Sequence, residues 1–220
     1  MNYSTFHNLD ATLKNNLIRA YKHYENSFEK SVIQFKNVSE SKQYIRKHRV
    51  FAIQHLSDLL VQFEKKFTAR GGKIHYAKDF KEVFVILDKI LSHSLMIVKS
   101  KSMVTEEIEL NKWLIGVKNA EVWETDLGEF IVQQMDQKPA HITAPAIHLS
   151  IEDIFTFFQK RFGVGNSINE VVEFVRRFLR KKFLEAYVGI TGANFLIADV
   201  GAVAITENEG NAGLTLSYPK

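Results

Sequence analysis

The sequence contains no cysteine in its 220 residues. That excludes disulfides, thiolate nucleophiles and thiolate-bound iron–sulfur clusters within these residues. Proline is scarce, at three, and the eleven glycines are not gathered into a linker or low-complexity tract. No uncharged apolar run approaches the ~20 residues that a membrane-spanning helix needs. The opening residues, "MNYSTFHNLDATLKNN", lack the apolar core of a secretory signal, so the chain reads as cytoplasmic. G-x-S-x-G, Walker A and H-E-x-x-H patterns are all missing.

What is present is ordinary in bulk and uneven in detail. A hydrophobic fraction of 45% and a charged fraction of 25% fit a globular chain with one domain, or one domain and an appendage. A chain of this length buries enough surface to need no staples. The net charge of +4 comes from the N-terminal fifty residues, where nine Lys/Arg face four Asp/Glu. No aromatic-interleaved basic stripe accompanies them, so the arm reads as a solvated helical face and not as a nucleic-acid contact.

Residues 1–46 read as a polar N-terminal helical extension, and 47–220 as the main domain. From about Lys47, Ala52, Leu56, Leu59, Leu60, Phe63 and Phe67 recur at helical spacing, and Gly71-Gly72 ends that helix. "KIHYA" (73–77) is expected to be a short strand. Asp79 with Glu82 caps a helix through Val83, Ile86, Leu87 and Ile90. "LMIV" (95–98) is apolar throughout, as a strand covered on both faces would be. A helix is expected from Thr105, strands at "AEVWET" and "HITAPA", and capped helices after Ser150 and Ser167. The remainder, from Tyr187 to Asn211, reads as two or three strands with tight glycine turns.

Strand–helix alternation predicts an α/β domain with a mostly parallel sheet flanked by helices. Ligands of such sheets sit at the carboxyl ends of the strands, and the polar clusters fall there. "VKSKSMVTEE" offers Lys99, Ser100, Lys101, Ser102, Glu106 and Glu107 before a helix N-terminus, a combination suited to phosphate or carboxylate. The plainer reading makes Ser102 or Thr105 an N-cap, with the glutamates favouring the helix dipole. "WETDLGEF" offers Glu124, Asp126 and Glu129 for a hydroxyl, a cation or acid–base work, against the plain reading of surface loop acids. "GITGANF" offers Thr191, Gly192 and Asn194 in a turn that lets backbone approach a ligand. "ITENEGN" offers Glu207 as a nucleophile or base with Asn208, Glu209 and Asn211, or else a simple strand exit. His141 and His148 are too few for a metal site without a third ligand.

Taken in order, "VKSKSMVTEEIELN", "VWETDLGEFIVQ", "HITAPAIH", "RKKFLEAYVGITGANF" and "ITENEGN" resemble the LUD (lactate utilisation) domain, in particular that of an iron–sulfur subunit. The resemblance runs from about Lys47 to the end. It implies a NagB/RpiA/CoA-transferase-like fold and a part in L-lactate oxidation to pyruvate beside partner subunits. It also implies a ferredoxin-like C-terminal region carrying [4Fe–4S] clusters. This cysteine-free chain departs from that pattern, so it reads as a piece truncated before that region, stopping at "LSYPK" after an unfinished strand pattern. Lys99 and Lys101 would hold a small carboxylate or phosphate and the acids would orient hydroxyls. "TENEG" resembles the glutamate context of the CoA-transferase relatives, which makes Glu207 the analogous carboxylate. Two alternatives stand beside this reading: a non-catalytic assembly scaffold for partner subunits, and a CoA-ester or sugar-phosphate enzyme of the wider fold group.

Overall fold

A computed structural model describes residues 11–93, 95–140, 144–207 and 209–220. The chain divides into two compact units, residues 1–74 with 196–202, and residues 75–195 with 203–220.

The first unit is built on helices α1 (Ala11–Val32), α2 (Val38–Gln54) and α3 (Leu56–Ala69). Asn37 starts α2 by accepting the Glu40 N–H. The helix expected from Lys47 therefore begins earlier, at Val38, and breaks at His55. Phe63 is the buried residue of α3 and stacks on Phe67. In the 196–202 segment, Lys66 Nζ donates to the Asp199 carbonyl. Gly201 has φ +61, and a Cβ there would lie 2.5 Å from the Lys66–Phe67 backbone, so only glycine fits.

The second unit carries the sheet. Strands β1 (Met96–Lys99), β2 (Glu121–Glu124) and β3 (Val188–Ile190) are parallel in the order β2-β1-β3. Parallel neighbours need long crossovers. Helices α5 (Met103–Glu107) and α6 (Leu110–Gly116) supply the first, and α7 (Leu127–Gln134), α8 (Ile151–Phe162) and α9 (Ile168–Glu185) the second. Successive β1 side chains point to opposite faces, and both faces are covered. Ile97 packs with Leu91, Leu110, Leu114 and Val122 beneath α6 and α4 (Phe80–Ile90), whereas Val98 packs with Phe130, Phe158, Val175 and Leu179 beneath α7, α8 and α9. This two-sided cover explains the unbroken apolar character of "LMIV". Among the described residues, strands β4 (Phe195–Ile197) and β5 (Ala202–Ala204) form a separate two-stranded ladder. The chain closes with α10 (Asn211–Ser217).

Most helix starts follow their caps. Asp79 accepts from Lys81 and Glu82, Ser167 accepts from Glu170, and Ser150 with Asp153 forms a reciprocal box. The helix expected from Thr105 starts at Met103, because Ser102 is its cap.

Three expectations fail. "KIHYA" is not a strand: residues 73–77 are irregular and mostly exposed, and no strand among the described residues pairs with them. "HITAPA" is not a strand where it is described. Residues 141–143 lie outside the described residues, and 144–148 form a turn with Ile147 donating to Ala144 and Pro145 offering no N–H. The terminal segment is helix and not unfinished strand. Gly210, at φ +73, turns the chain, and Ala212 and Thr215 bury one side of α10.

Candidate functional site

The register of β1 on β2 sets Lys99 opposite Glu124, on the last rung of the ladder at the strands' carboxyl ends. Both are buried, Lys99 completely and Glu124 to 3% exposure. Lys99 Nζ donates to Glu106 Oε1 at 3.0 Å and to Thr105 Oγ1 at 3.2 Å, and lies 3.0 Å from Glu124 Oε1. Asn111 Nδ2 donates to the same Glu124 oxygen from α6. Gln133 steadies β2 by accepting from Glu124 N and donating to Val122 O.

The loop after β2 adds the second layer. Asp126 caps α7 by accepting from Gly128 N and Glu129 N, and its other oxygen is 3.0 Å from Lys101 Nζ. The cap places Glu129 in the first turn of α7, where carboxylate oxygens of Glu106, Glu124 and Glu129 all lie within 4.8 Å of one another. Burial first, and then the negative charge of Glu124, pushes the Glu129 carboxyl up to about 8, against the pull of Lys99. Burial alone would push the Lys99 ammonium down, but Glu124 and Glu106 outweigh it and hold Lys99 above its ordinary value. Three carboxylates at this spacing resemble a cation site, and the cation between two of them is the Lys99 ammonium. These side chains border a cavity of about 600 Å³ whose wall includes Glu106, Asn111, Glu124, Glu129 and Gln133, with Lys101 and two exposed lysines, Lys112 and Lys138, also in its lining.

The LUD domain family model matches residues 60–220. The chain belongs to the LUD-domain family. Among its relatives, "Lactate utilization protein B" of Bacillus pumilus is 42% identical over 181 residues, covering 80% of this chain and 37% of that protein. The protein of the same name from Bacillus cytotoxicus is 40% identical over 182 residues, covering 81% of this chain and 38% of its own. The chain thus spans well under half the length of these relatives. No solved structure matches it.

Within this LUD domain, Lys101, Glu106, Glu124 and Glu129, all singled out in the sequence, line the cavity, and Lys99 and Asp126 join them through ion pairs. The others serve neighbouring contacts. Ser100 Oγ donates to Thr191 Oγ1 at 2.6 Å, tying β1 to the end of β3. Gly192 lies against Ser102, where a Cβ would come within 3.1 Å of its hydroxyl. Asn194 Oδ1 accepts from Thr206 N, and Asn211 Nδ2 donates to Thr125 Oγ1. Glu107 is exposed, and Asn208 lies outside the described residues. Glu207 accepts from Ala212 N and Gly213 N, so its carboxylate caps α10. Burial, and then Asp126, pushes the Glu209 carboxyl up. It borders a second cavity of about 570 Å³ beside α9 and α10. His148 bonds to Gln137, and His141 lies outside the described residues.

The sequence reading passed over Asn111 and Gln133 and gave Thr105 only as a cap or helix start, not as a partner of Lys99. Asn111 carried a signal, since it is a polar residue between the buried Leu110 and Leu114 on α6. Gln133 carried none, because its role depends on the β2 backbone it reaches.

Proposed function

We propose that this LUD domain takes part in the oxidation of L-lactate to pyruvate, as a piece of an iron–sulfur oxidoreductase subunit, and that its polar cavity holds a small carboxylate. The relatives named for lactate utilisation support the first half. The observation that carries the second is a cavity at the strand ends lined by Lys101 and by Glu124, whose charge the fully buried Lys99 balances from behind. Lys99 is saturated by three protein acceptors, so the anion falls to Lys101, whose side chain is 31% exposed. Glu129, its carboxyl pushed up to about 8 by burial and by Glu124, lines the same space.

The iron–sulfur clusters of the proposed whole protein have no ligands here, because the chain has no cysteine. They belong to the remaining length seen in the relatives, together with docking to partner subunits. Among the described residues no helix is long and apolar enough to cross a membrane, which accords with work in the cytoplasm. The parallel sheet with two covered faces accords with a NagB/RpiA/CoA-transferase-like fold. The amides on Glu207 favour a capping role over that of an acyl-transfer nucleophile.

The scaffold reading retains one supporting observation, the exposed apolar side chains Phe51, Ile53, Leu56 and Val61 on α2 and α3. Calorimetric titration of the chain with L-lactate, inorganic phosphate and coenzyme A separates the readings. L-lactate is expected to bind, and Lys101→Ala to weaken it at least about tenfold, as loss of a charge-assisted contact does. Binding of phosphate or coenzyme A alone moves the site to the phosphate readings. Absence of any small-molecule binding leaves the scaffold.

A further inference from the structure

The cavity wall has more hydrogen-bond acceptors than donors. Asn111 Nδ2 is turned toward the Glu124 carboxylate. That neighbour fixes the amide, since a carboxylate accepts and cannot serve the amide oxygen. Asn111 Oδ1 is therefore a buried acceptor with no donor among the described residues, and Glu124 Oε2 is another. Both residues border the cavity. The three ammonium protons of Lys99 serve Thr105, Glu106 and Glu124 Oε1, and one N–H of the Gln133 amide serves Val122 O. The Glu129 carboxyl shares a hydrogen bond with Glu124, so Asn111 Oδ1 is the acceptor left unserved. Buried acceptors of this kind are costly unless something donates to them.

We propose that Asn111 Oδ1, held outward by the Glu124 carboxylate on its amide nitrogen, recognises the hydroxyl of a small 2-hydroxy carboxylate whose carboxylate is held by Lys101. This rests on the carboxylate-pocket reading above and adds the group that distinguishes the alcohol from its oxidised form. A hydroxyl donates to Asn111 Oδ1. A 2-keto acid turns a carbonyl lone pair toward it and is repelled. The amide oxygen thus selects the reduced member of a hydroxy acid/keto acid couple and favours departure of the oxidised one. Sites built to hydrogen-bond a ligand hydroxyl discriminate strongly against analogues lacking it.

The test is a calorimetric series on the 220-residue chain at pH 7 with L-lactate, propionate and pyruvate. L-lactate is expected to bind at least about tenfold more tightly than propionate, with pyruvate weakest. Asn111→Leu is expected to lower L-lactate to the level of propionate while leaving propionate within about twofold. Far-UV circular dichroism reports whether that variant folds. If it does not, Glu124→Gln decides, since it replaces an acceptor by a donor and is expected to raise pyruvate relative to L-lactate. Equal affinity for the three acids, in wild type and variants, overturns the hydroxyl assignment and leaves the carboxylate pocket standing, its acceptors served by water. No binding of any of the three overturns both.

Discussion

At the scale of single residues, Glu129 and Lys99 carry opposite kinds of pH information. Glu129 has an ordinary value of 4.5 and is pushed up to about 8 by burial and by Glu124. Between those limits the unfolded chain gives up this proton and the folded chain keeps it. Its contribution to stability is full below about 4.5, falls as pH rises to about 8, and is flat beyond. Each unit of pH in that window is worth at most ~1.4 kcal/mol. Glu129→Gln keeps the shape and removes the titration. Urea unfolding from pH 5 to 8.5 is expected to show the variant gaining on the wild type as pH rises, and parallel curves would refute the assignment. Glu209 shifts in the same direction, but it is common to both proteins. Lys99 is held above its ordinary value of 10.5, so its pairing is intact throughout this range and is lost only at still higher pH. Lys99→Met leaves Glu124 buried without its cation, which is expected to cost about 3–5 kcal/mol. Adding Glu124→Gln removes the stranded charge and is expected to recover part of that loss in the same unfolding measurement.

At the scale of elements, the second unit depends on close backbone approaches that the sequence does not advertise. A Cβ at Gly189 in β3 would come within 1.8 Å of the Thr215 carbonyl oxygen of α10. Gly189→Ala is therefore expected to lift α10 from the sheet and cost about 1–3 kcal/mol, read as lost amide-exchange protection from Leu214 to Tyr218. Gly116, which has nothing within 4 Å of a new Cβ, is the control, and Gly116→Ala is expected to be neutral to mildly stabilising. This docking also explains why no helix was expected after Asn211. The helix is only seven residues long with Gly213 near its middle, and it is held by Gly189, by Glu207 at its first amides, and by a buried Thr215. The starts of α4, α8 and α9 were legible because a cap is a local device, complete within four residues. "KIHYA" was not, because a strand exists only where another strand receives it. The loops after β1 and β2 were legible as a site because the parallel order fixes where strand ends gather. Asn111 and Gln133 were not, because they reach the site from within helices.

At the scale of the whole molecule, the division into an extension over 1–46 and a LUD domain over 47–220 remains a proposal, and the family match begins at residue 60. Limited trypsin digestion followed by mass spectrometry tests it. The first persistent fragment is expected to start near residue 47. A fragment starting at 74 or 79, after cleavage at Lys73 or Lys78, would instead place the boundary at the edge of the second compact unit. Cleavage within α7 to α9 would contradict both divisions.

The pairing of Lys99 with Glu124 has a consequence for how the chain finds its fold. The β1–β2 ladder is four rungs long, and a slip by one residue would turn every β2 side chain to the other face. It would also set Lys99 against Trp123 or Thr125 and leave the buried Glu124 without its cation. The ion pair therefore adds to the penalty on a slipped alignment and favours the one that assembles the cavity. Glu124 thus serves both the alignment of the strands and the wall of the cavity. Variants made to change what the cavity accepts are expected to refold in lower yield whenever they alter position 99 or 124, and to refold normally when the change is made at Lys101.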